Sequence, residues 1–147
     1  IYVGGGNTKS MLAVGREWGL DIILKEAYEN NIILSGVSAG AICWFDKGIT
    51  DSWKDSQATI DCLGFVEGIC CPHYDEEPER IPYVKNILIN NKINECYAID
   101  GYTALHMIDD VPKYNVSFKK DTSCYRVFKT SDLITHSDIN DIIRIEL

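Results

Sequence analysis

The chain has no block of lysine or arginine. Its 14 Lys and Arg stand against 22 Asp and Glu, a formal net charge of −8. Such a surface repels phosphate backbones, so nucleic acid is not an expected partner. No apolar run approaches the roughly 18 residues that a membrane helix needs, so no membrane association is expected either. The six cysteines, Cys43, Cys62, Cys70, Cys71, Cys96 and Cys124, form no C-x-x-C pair. Cys70, Cys71 and His73 cluster without the second half of a ligand set, so no metal is expected. Several of these cysteines sit inside apolar runs, which points to buried, reduced thiols. G-x-G-x-x-G and G-K-[ST] are also absent, so no nucleotide cofactor is expected. The start shows no basic, apolar, small-residue signal, and a cytoplasmic location is expected.

What is present suits a single domain over residues 1–147, without repeats, low-complexity stretches or a linker. Ile1-Tyr2-Val3 reads as a strand stopped by Gly4-Gly5-Gly6. Asn7 and Thr8 can cap a helix over Lys9–Trp18, and a second helix is expected over Asp21–Asn30. Ile32-Ile33-Leu34 reads as a strand buried on both faces, and Ala39–Phe45 as a short buried helix. Residues 46–66 lack periodicity and carry turn residues such as Asp51-Ser52 and Asp55-Ser56, so they are expected to be mostly loop. Ile69-Cys70-Cys71 is a further buried strand, closed by Pro72, and Pro78 to about Asn90 a helix. Cys96–Ile99, Thr103–Ile108, Val116–Phe118, Tyr125–Phe128 and Ile142–Ile145 are short β-type runs. The expectation is an α/β fold with a mostly parallel central sheet, flanking helices and antiparallel edge strands toward the C-terminus.

Gly36-Val37-Ser38-Ala39-Gly40 fits G-x-S-x-G, between an expected strand and an expected helix. A serine on so sharp a turn needs neighbours almost without side chains, and it presents its Oγ to a substrate. The plainer reading is a tight turn with an incidental serine. Of the three histidines, His73 ends a buried strand, where ligands of open α/β sheets bind, and is the leading base. His106 lies inside a β-type run and His136 in a polar turn, where structural roles are expected. Asp100, at another strand end, and Asp51, in the loop after the elbow, both qualify as the acid that orients the base. Three glycines between strand and helix can present an N–H to an oxyanion, so Ala39 N–H with Gly5 or Gly6 N–H is the expected oxyanion hole.

The set Gly4-Gly5-Gly6-Asn7-Thr8, Gly36-x-Ser38-Ala39-Gly40-Ala41, Thr50-Asp51-Ser52, Pro72-His73-Tyr74-Asp75 and Asp100-Gly101 resembles the peptidase E family, from Gly4 to about Phe128. These are serine peptidases, some of which remove N-terminal aspartate from dipeptides, and cyanophycin-degrading enzymes are relatives. The resemblance implies a fold like that of class I glutamine amidotransferases and no cofactor. It implies Ser38 as nucleophile, His73 as base and Asp100 as the following acid, with Asp51 as a second acid. Asn7 and Arg80 are the expected substrate-binding residues, Arg80 as the cation nearest His73. The family begins with βα units upstream of the glycine loop. The chain lacks them, so a shortened domain is expected. Its open sheet edge invites pairing with a second copy. The implied function is hydrolysis of short peptides through an acyl-enzyme. Cyanophycinase-like or other amidase or esterase activity, or an inactive remnant, are the alternatives. A glutamine-amidotransferase-like domain is disfavoured because that class uses cysteine at the elbow.

Overall fold

A computed structural model describes residues 1–53, 56–90, 92–131, 133–139 and 142–145. The contacts divide into two units, Ile1–Ile69 and Cys70–Leu147. Asp55, expected in a turn, lies outside the described residues.

In the first unit, strand β1 (Tyr2–Val3) leads through the glycines into helix α1 (Thr8–Glu17). Asn7 starts this helix: its side chain accepts from Ser10 N–H at 2.9 Å, satisfying one of the orphan donors. Arg16 in the last turn donates to the carbonyls of Asp61 and Cys62. Gly19, at φ 68°, separates α1 from α2 (Leu20–Glu29). Leu12 and Leu24 point inward and join Cys43, Trp44 and Cys62 in the unit's core, with Tyr28 and Phe65 stacked at its rim.

Strand β2 is Ser35–Gly36, parallel to β1 with Tyr2 opposite Ser35 and Val3 opposite Gly36. The expected strand at Ile32–Leu34 is not there. Ile33 is 82% exposed and Ile32 also faces water, while Leu34 alone packs against the core. The apolar run has β1 on one side, and the two-residue ladder places its pairing at Ser35–Gly36 instead. Helix α3 (Ala39–Ile42) is shorter than expected, because Phe45 already opens β3 (Phe45–Trp53).

The largest correction concerns residues 46–66. They hold most of β3 and all of β4 (Ser56–Asp61), an antiparallel pair with Ile49 opposite Thr59. The signal was hidden because β3 does not alternate: Gly48, Ile49 and Thr50 are all buried, and the register shifts between Thr50 and Trp53. A bulge of that kind breaks the period-two pattern by which a strand is read.

β5 (Val66–Cys71) carries the boundary between the units. In the second unit its last residues pair in parallel with β6 (Glu95–Ile99), Cys70 opposite Tyr97 and Cys71 opposite Ala98. Helix α4 (Arg80–Ile89) joins them, burying Val84, Ile87 and Leu88. Each such side chain stabilises the fold by roughly 1.5–3 kcal/mol relative to exposure. β7 (Thr103–Ile108) and β8 (Val111–Ser117) form a hairpin about Asp109-Asp110, both at positive φ, as a two-residue type I′ turn requires. β9 (Cys124–Thr130) runs antiparallel to β6 and to β10 (Leu133–Asp138), and β11 (Ile142–Arg144) runs parallel to β8. The fold is α/β with mixed pairing rather than a mostly parallel sheet, because the tight connections β7–β8 and β9–β10 return the chain directly. All six cysteines are buried. Burial pushes the Cys43, Cys62 and Cys71 thiols up to about 12, so they are not thiolates at neutral pH. Among the described residues, no helix is long and apolar enough to cross a membrane.

Candidate functional site

Ser38 stands at the apex between β2 and α3. Its backbone is at φ 55°, ψ −118°, a conformation that a residue with a Cβ adopts only under strain. What holds it there is the absence of side chains on either side. A Cβ on Gly36 would land on the Gly40 carbonyl, and a Cβ on Gly40 would land on the Val3 carbonyl. Val37 N–H donates to Val3 O at 3.1 Å, and Gly40 N–H to Val37 O at 2.9 Å, so the turn is tied to the end of β1 and to itself. Ala39, fully buried, takes the first position of α3 immediately after the serine.

The glycine loop runs beside this apex. A Cβ on Gly5 would sit 3.3 Å from Ser38 Cβ and 3.9 Å from its Oγ, so bare backbone flanks the hydroxyl. Gly6 follows at φ 146°. Asn7 joins the same neighbourhood through two contacts: it caps α1, and its Nδ2 donates to Ser52 O at 3.1 Å. Ser52 Oγ accepts from Lys9 N–H, and Thr50 Oγ1 donates to the Thr8 hydroxyl at 3.2 Å. Asp51 therefore lies on β3, not in a loop, on the stretch bonded to the start of α1. The first unit thus brings Gly5, Asn7, Ser38 and the Asp51 segment together.

In the second unit His73 occupies the turn after Pro72, also at positive φ, 58°. Its carbonyl accepts from Glu76 N–H at 3.2 Å and from Glu77 N–H at 3.1 Å, and its Nδ1 lies 3.0 Å from Glu76 Oε2. Tyr74 N–H donates to Ile99 O at 3.0 Å, and Asp75 Oδ1 accepts Gly101 N–H at 2.6 Å. These bonds press the turn against the carboxyl end of β6. The carboxylate beside His73 is thus that of Glu76, not of Asp100. Asp100 Oδ2 accepts Ser123 N–H at 3.0 Å, and its own N–H donates to Ser123 O. Burial raises its carboxyl above the usual range, Ser123 N–H opposes the rise, and Asp75 and Asp138 add to it.

Arg80 opens α4 with its side chain 2% exposed, its Nε donating to Glu77 at 2.7 Å. It is a buried, paired cation rather than one open to a substrate. His136 lies on β10, not in a polar turn, and shares a 2.7 Å hydrogen bond with the Tyr74 hydroxyl. Burial, with Lys85 nearby, lowers its pKa. His106 stands on β7 beside the Tyr114 ring. Among the described residues, no three His, Cys, Asp or Glu side chains gather as a metal site. Glu76 was missed in the sequence, although the His-x-x-Glu spacing after a strand end was legible there.

A family model described as Peptidase family S51 matches residues 1–113. The uncharacterized peptidase YgaJ of Bacillus subtilis (strain 168) is 46% identical over 127 residues. That match covers 86% of this chain and 55% of the relative, so the chain spans little more than half of the relative's length.

Proposed function

Because the chain belongs to peptidase family S51, the peptidase E family, we propose that it is a serine-type peptidase that hydrolyses short peptides through an acyl-enzyme on Ser38. The observation that carries this reading is Ser38 at φ 55°, ψ −118° between two glycines that admit no side chain. Such a turn supports reading it as a nucleophile elbow. In the reaction, Ser38 Oγ attacks the scissile carbonyl while His73 Nε2 takes its proton. The tetrahedral oxyanion is held by Ala39 N–H and by an N–H of Gly5 or Gly6. The C–N bond breaks as His73 protonates the leaving amine, and water then repeats the sequence on the acyl-enzyme. Removing one oxyanion donor raises such a barrier by about 2.7–4 kcal/mol. Peptide and water suffice, without metal or organic cofactor.

Of the two acids that the family resemblance implies, Asp100 is assigned to fixing the turn after β6 through Ser123 N–H, and Asp51 is kept as the second acid. Both units are taken as one peptidase domain of the class I glutamine-amidotransferase-like type, working in the cytoplasm. Dipeptides with N-terminal Asp are the substrates to test first. Their side-chain carboxylate needs a cation, and since Arg80 is engaged by Glu77, the preference is not assigned to it. Comparing Asp-Leu, other dipeptides and cyanophycin separates the peptidase from cyanophycinase-like activity.

The test is chemical. A fluorophosphonate probe is expected to label Ser38, and Ser38→Ala is expected to lower peptide hydrolysis by on the order of 10⁵-fold or more. Full activity in Ser38→Ala sinks the reading, and absence of labelling in folded protein favours an inactive remnant.

A further inference from the structure

We propose that Glu76 is the positioning residue for His73: its carboxylate accepts the Nδ1–H, and residue 101 is kept bare to give that carboxylate its place. The inference rests on reading His73 as the general base.

An ionised carboxylate can only accept. With Glu76 Oε2 at 3.0 Å from Nδ1, the proton of a neutral imidazole belongs on Nδ1. That leaves the Nε2 lone pair free, the tautomer a base at Ser38 requires. The unfavoured alternative, with the proton on Nε2, sets a lone pair against the carboxylate and has nothing to accept the serine proton.

The backbone brings the two side chains together. Both Glu76 N–H and Glu77 N–H close on the His73 carbonyl, so residue 76 lies one tight turn beyond the imidazole. The neighbouring acids have other partners. Asp75 accepts Gly101 N–H, Glu77 accepts from Arg80, and Asp100 accepts from Ser123 N–H. In a run that reads His-Tyr-Asp-Glu-Glu, each acid therefore has its own task.

Gly101 is the second observation. A Cβ there would run into the Glu76 carboxylate, reaching its carbon and both oxygens. Gly101 is not among the glycines at positive φ, so its backbone conformation does not demand glycine. Space for the carboxylate does.

The experiment uses protein labelled with [¹⁵N]histidine, observed by NMR at a pH where the imidazoles are neutral. The wild type is expected to show a protonated Nδ1 and a bare Nε2 at His73. Glu76→Ala is expected to shift both nitrogens toward the opposite tautomer. Gly101→Ala, which keeps Glu76 but displaces its carboxylate, is expected to shift them in the same direction. Asp100→Asn is expected to leave them in place, and Glu76→Gln, which restores an acceptor, to recover part of the wild-type signal. In turnover, Glu76→Ala is expected to lower kcat by on the order of 10³-fold with KM little changed. The proposal is overturned if the His73 nitrogens of Glu76→Ala match the wild type, or if Asp100→Asn moves them as much. The nitrogen shifts do not depend on turnover, so a Ser38→Ala protein that kept its activity would remove the peptidase reading and leave this result standing.

Discussion

Ser38 and His73 both sit at positive φ, but they are held there by different means. At Ser38 the constraint is backbone against backbone: Gly36, Gly40 and the Val3 carbonyl leave no volume to yield. At His73 the constraint is a set of hydrogen bonds, three of them to its own carbonyl and ring from residues 76 and 77. Ser38 is fixed by packing and His73 by polar contacts. Packing of backbone on backbone is stiff and all-or-none. A hydrogen-bonded turn on the surface is held by contacts worth about 0.5–1.5 kcal/mol each, and it adjusts when one is lost.

Two alanine substitutions break this comparison most directly. In Gly40→Ala the new methyl meets backbone, which has nowhere to go. The expected loss is at least about 3 kcal/mol of stability, or failure to fold, read by urea denaturation. Gly101→Ala makes an equally close approach, but to the end of a flexible glutamate. The side chain can swing away, so the expected cost is below about 1 kcal/mol while activity falls sharply. Equal stability losses in the two variants would show that the stiffness of the two sites is the same.

The next effect concerns strain. Ser38→Gly relieves the Cβ penalty at φ 55°. Against the extra chain entropy of glycine, a net gain of about 1 kcal/mol is expected, with peptide hydrolysis abolished. A stability unchanged or lowered would mean that the hydroxyl itself holds the turn.

The same contrast explains what could be read from the sequence. Gly36, Gly40 and Ser38 were legible because steric exclusion acts through residue identity at fixed short spacing. The helices α1 and α2 were legible to within a residue or two, since Asn7 and Gly19 mark their ends. The family match over residues 1–113 agrees with the motif set that pointed to peptidase E. Three things were not legible. β3 and β4 were hidden by the bulge after Thr50. The choice among Asp75, Glu76, Glu77 and Asp100 depends on which acceptor faces which donor in three dimensions, and four acids look alike in one. Ile32–Leu34 failed for a third reason: hydrophobicity specifies burial only where a neighbour is present to bury against.

Asn7 allows a finer cut, because it holds the glycine loop by side-chain contacts within the stiff unit. Asn7→Ala removes the α1 cap and the bond to Ser52 O, an expected loss of about 1–2 kcal/mol. Asn7→Asp keeps the cap acceptor and places a negative charge at the helix N-terminus, so it is expected to lose less. If both lose the same, the Ser52 contact rather than the cap anchors the loop. A KM that rises in Asn7→Asp at unchanged stability would instead support Asn7 as a substrate contact.

The smallest effect tests the polar unit. Burial raises the Asp100 carboxyl above its ordinary 3.8, outweighing the Ser123 N–H that favours the charged form. A group raised on folding binds its proton more tightly in the native state than in the unfolded one. Its favourable contribution is complete below the unfolded pKa and is lost as pH rises through the folded value. Asp100→Asn has no charge to desolvate and still offers Ser123 an acceptor. The two proteins are therefore expected to differ in pH slope only where the Asp100 carboxyl titrates. As pH rises from 3.8 through the raised native value, the wild type is expected to lose stability relative to the variant, as measured by urea denaturation at successive pH values. A stability difference that stays flat from pH 4 to 7 would mean that burial and the Ser123 bond offset each other. Asp100 would then be held in place by the hydrogen bond at no electrostatic cost.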